Sequence, residues 1–165
     1  SQLSDASAFA IYGRRFYMLD TQSNMVWRYA PVGNGVAQET AYLKQNSAEL
    51  ANATAIAVDQ NVWLAFRDGT VTRYDQGVED GFRLPAIDPP LTNISAMWTD
   101  DVSNLFVLTD QVGKRVLVFR KDGRLIVQYT SPALTGPTSV HADRDAKKIY
   151  VTDNNKVYQF DLPNP

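Results

Sequence analysis

The chain has 165 residues and a mass of 18.4 kDa, with 44% hydrophobic and 21% charged residues, which excludes collagen-like and coiled-coil chains. Its formal net charge of −2 lacks the basic excess of proteins that hold nucleic acid by its phosphates, so no nucleic-acid partner is expected. No cysteine is present, and His141 is the one histidine. Disulfides, thiolate chemistry and any metal site that needs two imidazoles are therefore excluded.

Short apolar segments recur along the chain in the same order. Each repeat contains three such segments, and the second of them carries an aromatic residue every time. These residues are Tyr17, Trp63, Phe106 and Tyr150, separated by 46, 43 and 44 positions. The segments are rich in β-branched and aromatic residues and are bounded by turn residues, as is typical of β-strands. The pattern predicts a single domain over residues 1–165, made of four repeats at approximately 5–50, 51–92, 93–136 and 137–165.

Each repeat predicts three strands, and the first three repeats also predict an outer strand. In chain order, the predicted strands are 7–12, 16–20, 25–29 and 36–43; 54–59, 62–66, 70–74 and 81–84; 94–100, 105–110, 115–119 and 124–130; and 138–143, 149–153 and 156–160. The fourth repeat lacks an outer strand, and residues 1–6 are the candidate to supply it. Residues 40–53 fit either a short helix or a loop. The Asp-Gly pairs at 68–69 and 122–123 predict type I′ hairpin turns.

Antiparallel strands that repeat with this period are typical of β-propeller blades. We therefore expect an all-β, propeller-like fold of about four blades of antiparallel strands, with an incomplete last blade. The open outer strands of the first and last blades would leave unpaired edges.

The segment LTDQVGKRVLVFRKDGRLIVQY at 108–129 resembles an NHL-type propeller repeat, and IYVTDNNKVYQFD at 149–161 is similar in a shorter form. The second repeat departs from the pattern, with Phe66 where the others have Asp20, Asp110 and Asp153. The resemblance implies a six-bladed ring, which needs more residues than this chain has. A four-bladed ring, a half-propeller and a fragment of a larger bacterial propeller therefore remain open. The chain begins with Ser, so we expect it to be processed, tagged or cut from a longer protein.

The candidate site residues lie where a propeller presents its loops and its central channel. Asp20, Asp110 and Asp153 end the second strand, and each is either a ligand on one face of the ring or an acceptor for the backbone of its own loop. Trp98 and His141 lie in first strands, which line the channel, and either face a ligand there or pack. The expected ligand-binding or partner-binding set is Asp20, Asn24, Trp98, Asp110, Lys114, His141, Asp153 and Asn155. The basic group on the third strand of the third repeat and its following turn is interpreted as a solvated blade edge, with a bridge between neighbouring blades as the alternative for Arg115; its members are Lys114, Arg115, Arg120, Lys121 and Arg124.

These features favour a noncatalytic binding or scaffold module for a protein or a small molecule, with no cofactor and no metal. Similar repeats attached to bacterial signalling proteins suggest an extracytoplasmic sensor, with a cytoplasmic location as the alternative. A membrane would be reached only through a segment of a longer parent chain. A metal-dependent hydrolase or lactonase is the first alternative function, although Glu39, Glu49 and Glu79 fall in outer strands or loops. A self-assembling half-propeller, a homodimer joined through open blade edges, is the second.

Overall fold

A computed structural model describes residues 6–33 and 38–164. The first half of the chain forms two sheets. Blade 1 contains β1 (Ala8–Tyr12), β2 (Arg15–Asp20), β3 (Met25–Ala30) and β4 (Gln38–Ala41), and blade 2 contains β5 (Ala53–Val58), β6 (Val62–Phe66), β7 (Val71–Asp75) and β8 (Val78–Glu79). A short 3-10 helix, Ala48–Asn52, connects them, so the ambiguous stretch contains both a loop and a turn of helix.

The second half of the chain forms two more sheets. Blade 3 contains β9 (Ile94–Thr99), β10 (Leu105–Asp110), β11 (Arg115–Arg120) and β12 (Leu125–Thr130), and blade 4 contains β13 (Ser139–Asp143), β14 (Lys148–Asp153) and β15 (Lys156–Asp161). No helix in the described part of the chain has the length and apolar character of a membrane span.

Every sheet is an antiparallel meander whose strands follow in chain order. The innermost strands β1, β5, β9 and β13 lie beside one another in that order, so the sheets are arranged in a ring as propeller blades. Blade 4 has three strands and is the short one. The expected all-β propeller with an incomplete last blade is confirmed.

Three predicted outer strands differ from the structure or lie at least partly outside the described residues. In blade 2 the predicted strand 81–84 is wrong, because Gln76 and Gly77 adopt positive φ and turn the chain directly into β8. Phe82 then leaves the sheet and packs against Trp63 with 5.0 Å between ring centroids. Of residues 1–6, proposed as the outer strand of blade 4, residues 1–5 lie outside the described residues, as do the first two residues of the predicted strand 36–43.

Both Asp-Gly pairs lie at hairpin turns as expected, but the predicted type I′ geometry is wrong. Only the glycines have positive φ, 89° at Gly69 and 95° at Gly123. The Gly69 and Phe66 backbones are joined by a hydrogen bond of 3.1 Å, and Asp68 accepts one of 2.9 Å from the Thr70 backbone. This is the three-residue loop with a left-handed glycine, which the aspartate favours by capping the backbone two residues on.

Three clusters of buried apolar residues hold the blades together. One lies between blades 1 and 2, one between blades 2 and 3, and one between blades 3 and 4. Alternate residues of each strand therefore point to opposite neighbours, as the period of two requires. No such cluster among the described residues joins blade 4 to blade 1.

Candidate functional site

The three strand-end aspartates use their oxygens within the fold. Asp20 accepts hydrogen bonds from the Ser23 backbone at 2.9 Å and the Ser23 hydroxyl at 2.5 Å, and it also receives the Trp27 indole N–H. Burial alone would raise the pKa of Asp20, but these hydrogen bonds outweigh it and lower the pKa. The carboxylate therefore stabilises its own β2–β3 loop.

Asp110 is fully buried and forms an ion pair with Arg115 at 3.0 Å. It also accepts from the Gly113 backbone at 3.0 Å and from the Thr92 hydroxyl at 3.1 Å. Arg115 continues to the carbonyls of Pro89 and Pro90, at 2.7 and 2.8 Å, in the connection between blades 2 and 3. Of the two interpretations of Arg115, the geometry favours the bridge between neighbouring blades over the solvated edge, because its buried guanidinium fixes that connection from inside.

The carboxylate of Asp153 fixes the connection between blades 3 and 4 by accepting hydrogen bonds from it. It accepts from the Thr135 hydroxyl at 2.6 Å and from the Gly136 backbone at 2.9 Å. These hydrogen bonds, led by that from Thr135, lower the pKa of Asp153. For Asp20 and Asp110 the geometry favours the acceptor of the residue's own loop over the ligand. Asp153 fits neither role as predicted, because its backbone donor Gly136 belongs to the preceding connection and not to its own loop.

The other predicted loop residues lie on the same end of the blades. Asn24 and Lys114 occupy equivalent positions at the end of the β2–β3 and β10–β11 loops, with φ of 54° and 53°. Lys114 and Asn155 are exposed, whereas the Asn24 side-chain oxygen is buried without a hydrogen-bond partner. Two of these positions therefore shape loops, and the binding role of the three side chains stays a prediction.

Trp98 and His141 are brought together on adjacent inner strands. Their ring centroids are 6.3 Å apart in an edge-to-face arrangement, with Trp98 half-buried and His141 exposed. The pair offers an aromatic surface on the inner strands, and a ligand there stays a prediction. Within 6–33 and 38–164, no group of three or more acidic or imidazole side chains is placed to hold a metal ion.

A further candidate surface, which the sequence analysis did not single out, is the side of blade 1 that faces away from blade 2. We call it the leading face, and define it by Phe9, Ile11 and Phe16. Phe9 is 62% exposed and Ile11 is 68% exposed. Their equivalents in blade 2, Ile56 and Val58, are 5% and 7% exposed because blade 1 covers them.

The last blade shows a matching surface, the side of blade 4 that faces away from blade 3. We call it the trailing face, and define it by His141, Tyr150 and Val157. Val157 is 68% exposed, whereas the equivalent valine of each other blade is completely buried: Val26, Val71 and Val116. The signal was present in the sequence as apolar residues at core positions of the terminal repeats, but only the neighbouring blades reveal whether such positions are covered.

Comparisons with known proteins support the fold and go no further. No family model and no curated protein matches the chain. The crystal structure of the computationally designed Ika4 protein is similar with a TM-score of 0.66 and 14% identity, covering 99% of this chain and 94% of that one. A nidogen/laminin complex is similar with a TM-score of 0.64 and 18% identity, covering 85% of this chain and 55% of that one. The molecule thus resembles a four-bladed β-propeller.

Proposed function

We propose that the chain is a noncatalytic binding module that assembles with a second copy of itself through the leading face of blade 1 and the trailing face of blade 4. One observation carries the proposal. Apolar positions that are buried between blades 1 and 2, at Ile56, Val58 and Val26, are exposed at these two faces, at Phe9, Ile11 and Val157. The proposal joins the binding function and the self-assembly that the sequence left as alternatives.

The two faces are complementary in the way that neighbouring blades are. At the boundary of blades 1 and 2, large residues of blade 2 such as Ile56 pack in the cluster that contains the small residues Ala8 and Ala10 of blade 1. Blade 4 presents Ser139 and His141 at the positions equivalent to those alanines. Ser139 keeps the small size of Ala8, so beside it the trailing face of one copy can receive a large residue of the leading face of another, whereas His141 is larger than Ala10 and adds an aromatic contact surface.

The contact joins two different surfaces, so its geometry is head to tail. Two copies joined at both ends would form a ring of eight blades, within the usual range of four to eight. Burying one large apolar side chain contributes about 1.5–3 kcal/mol. Two such boundaries, each with several apolar residues, supply a driving force that an isolated chain leaves unused.

Light scattering across a concentration series tests the proposal. We expect a mass that rises toward twice 18.4 kDa, and we expect Phe9→Ser/Ile11→Ser to remain at the mass of one chain. Val102→Ser/Val112→Ser is the matched control, because these valines are as exposed but lie in turns of blade 3. A native mass that stays at one chain at every concentration would contradict the proposal, as would an equal effect of both double variants.

We also propose a repeat type and a cellular location for the blades. The motifs at 108–129 and 149–161 support an NHL-type repeat and, by analogy with bacterial signalling proteins, an extracytoplasmic scaffold role. Fractionation of the native host, with a marker for each compartment, tests the location. A metal-dependent hydrolase or lactonase stays the alternative function.

A further inference from the structure

A cleft of about 570 Å³ lies between blades 1 and 2, at the end of the sheets that carries the β1–β2 and β5–β6 turns. Three cationic side chains and three tyrosines contribute to its walls: Arg15, Arg28, Lys44, Tyr12, Tyr17 and Tyr42. No aspartate or glutamate of the described chain lines it. The cleft is thus strongly basic in a protein whose net charge is −2.

These three cations have no carboxylate partner among the described residues. None of the ion pairs of residues 6–33 and 38–164 includes Arg15, Arg28 or Lys44. The Nε atom of Arg28 is buried and makes no hydrogen bond. A buried donor on a charged group normally has an acceptor, since leaving it without one costs free energy. The Nε–H group of Arg28 therefore lacks the hydrogen-bond acceptor that a buried charged donor normally has.

The next blade boundary shows what a satisfied arginine looks like at this position. Arg73 in blade 2 is the equivalent of Arg28, and it pairs with Asp80 at 2.5 Å. Its guanidinium also lies over the Trp63 ring, 5.0 Å from the centroid, and over Phe82 at 5.2 Å. In the described part of the boundary between blades 1 and 2, no counterpart of Asp80 contacts Arg28, and this arginine faces the cleft.

The tyrosines add planar walls and neutral donors. Tyr17 and Tyr42 contact each other edge to face, with 5.6 Å between ring centroids. The Tyr42 hydroxyl donates to the Tyr74 carbonyl at 3.2 Å, which fixes the ring against blade 2. Burial raises the pKa of Tyr42, so the phenol is neutral at neutral pH and adds no negative charge to the cleft.

We propose that this cleft binds a small organic anion, a phosphate or sulfate ester carried on a ring. Arginine recognises such tetrahedral oxyanions with paired N–H donors, and aromatic planes provide a surface for the ring. The volume falls within the 300–1,000 Å³ of ordinary small-molecule sites. The cleft lies on the blade 2 side of blade 1, away from the leading face, so this site does not depend on self-assembly.

Isothermal titration calorimetry with phenyl phosphate, phenyl sulfate and phenol tests the proposal. We expect one or both esters to bind and phenol to bind at least about tenfold more weakly, because it lacks the anionic group. Added salt should weaken binding of the ester, since the cleft is open to solvent. Equal binding of phenol and the esters, or no binding of either ester, would overturn the proposal.

Variants show whether the binding occurs in this cleft. Arg15→Gln/Lys44→Gln changes two exposed side chains and should fold, and it should weaken ester binding by about tenfold or more. Arg28→Gln should weaken it similarly, and the double variant decides alone if Arg28→Gln fails to fold. Arg67→Gln is the control, an exposed arginine in the β6–β7 turn at the other end of blade 2. Ester affinity that is unchanged in the double variant, or equally reduced by Arg67→Gln, would place the binding elsewhere.

Discussion

The inner boundaries of this propeller and its two end faces use the same strand positions with opposite results. Ile56 and Val58 are buried between blades 1 and 2, whereas Phe9 and Ile11, at the same positions of blade 1, are largely exposed. The residue types are alike, and only the neighbour differs. Burial in a repeat protein is thus decided by the adjacent repeat, and an apolar terminal repeat indicates a surface that can receive another blade.

The largest effect is expected at the inner boundary between blades 2 and 3. Replacing Asp110 by Ala should lower the free energy of unfolding by about 3–5 kcal/mol, because the buried Arg115 guanidinium loses its counterion. Urea denaturation followed by tryptophan fluorescence measures this loss.

Asp101→Ala is the control for that variant, since Asp101 is exposed and lies in a turn of the same blade. A stability loss at Asp110 no greater than the loss at Asp101, together with weaker binding of a partner, would instead support the ligand role that the sequence left open.

The second prediction compares the same position of the innermost strand in blade 2, Ile56, and in blade 1, Phe9. Ile56→Ala should cost about 2–5 kcal/mol of unfolding free energy, because it leaves a cavity between blades 1 and 2. Phe9→Ala should change the stability of the isolated chain by less than about 0.5 kcal/mol, because its side chain is largely exposed. Both are measured by urea denaturation at a concentration below that of association. Similar losses at both positions would show that the leading face is already covered.

The smallest effect concerns pH. Although burial opposes them, hydrogen bonds from its own loop hold the pKa of Asp20 below the ordinary 3.8. Hydrogen bonds from Thr135 and Gly136, in the preceding connection, hold the pKa of Asp153 below the same value. A carboxyl whose pKa is lower in the folded state adds stability above its unfolded pKa and loses it as pH falls through the folded value. The urea concentration at the unfolding midpoint should therefore decrease as the pH is lowered below about 4. The decrease should be smaller in Asp153→Asn. A midpoint that is constant from pH 6 to pH 2.5 would contradict this.

The order of strands was readable from the sequence because each blade is a local meander. Alternating apolar residues and regularly spaced aromatics such as Trp63 and Phe106 mark strands without any knowledge of the neighbours. The outer strand of blade 2 was misplaced because Phe82 looks like a strand residue but leaves the sheet to fill the core beside Trp63. A residue that leaves its sheet to pack between two blades does not follow the two-residue period of a strand, so the sequence pattern does not place it.

The site was less predictable than the fold. Asp110 and Asp153 were recognised as special, but the sequence alone could not show that Thr92 and Thr135, from the preceding connections, occupy their oxygens. The cleft around Arg28 gave no signal, because an arginine with a partner and one without look identical in sequence. The difference from Arg73 appears only when Asp80 is seen at one boundary and not at the other.

Cross-linking between two single-cysteine variants tests the head-to-tail assembly most directly, and the natural chain contains no cysteine to interfere. Ile11→Cys marks the leading face and His141→Cys marks the trailing face. With a short bismaleimide, the mixture of the two variants should give a covalent dimer, and each variant alone should give little. No dimer in the mixture, or as much dimer from either variant alone, would contradict the assembly of blade 4 against blade 1 of a second copy.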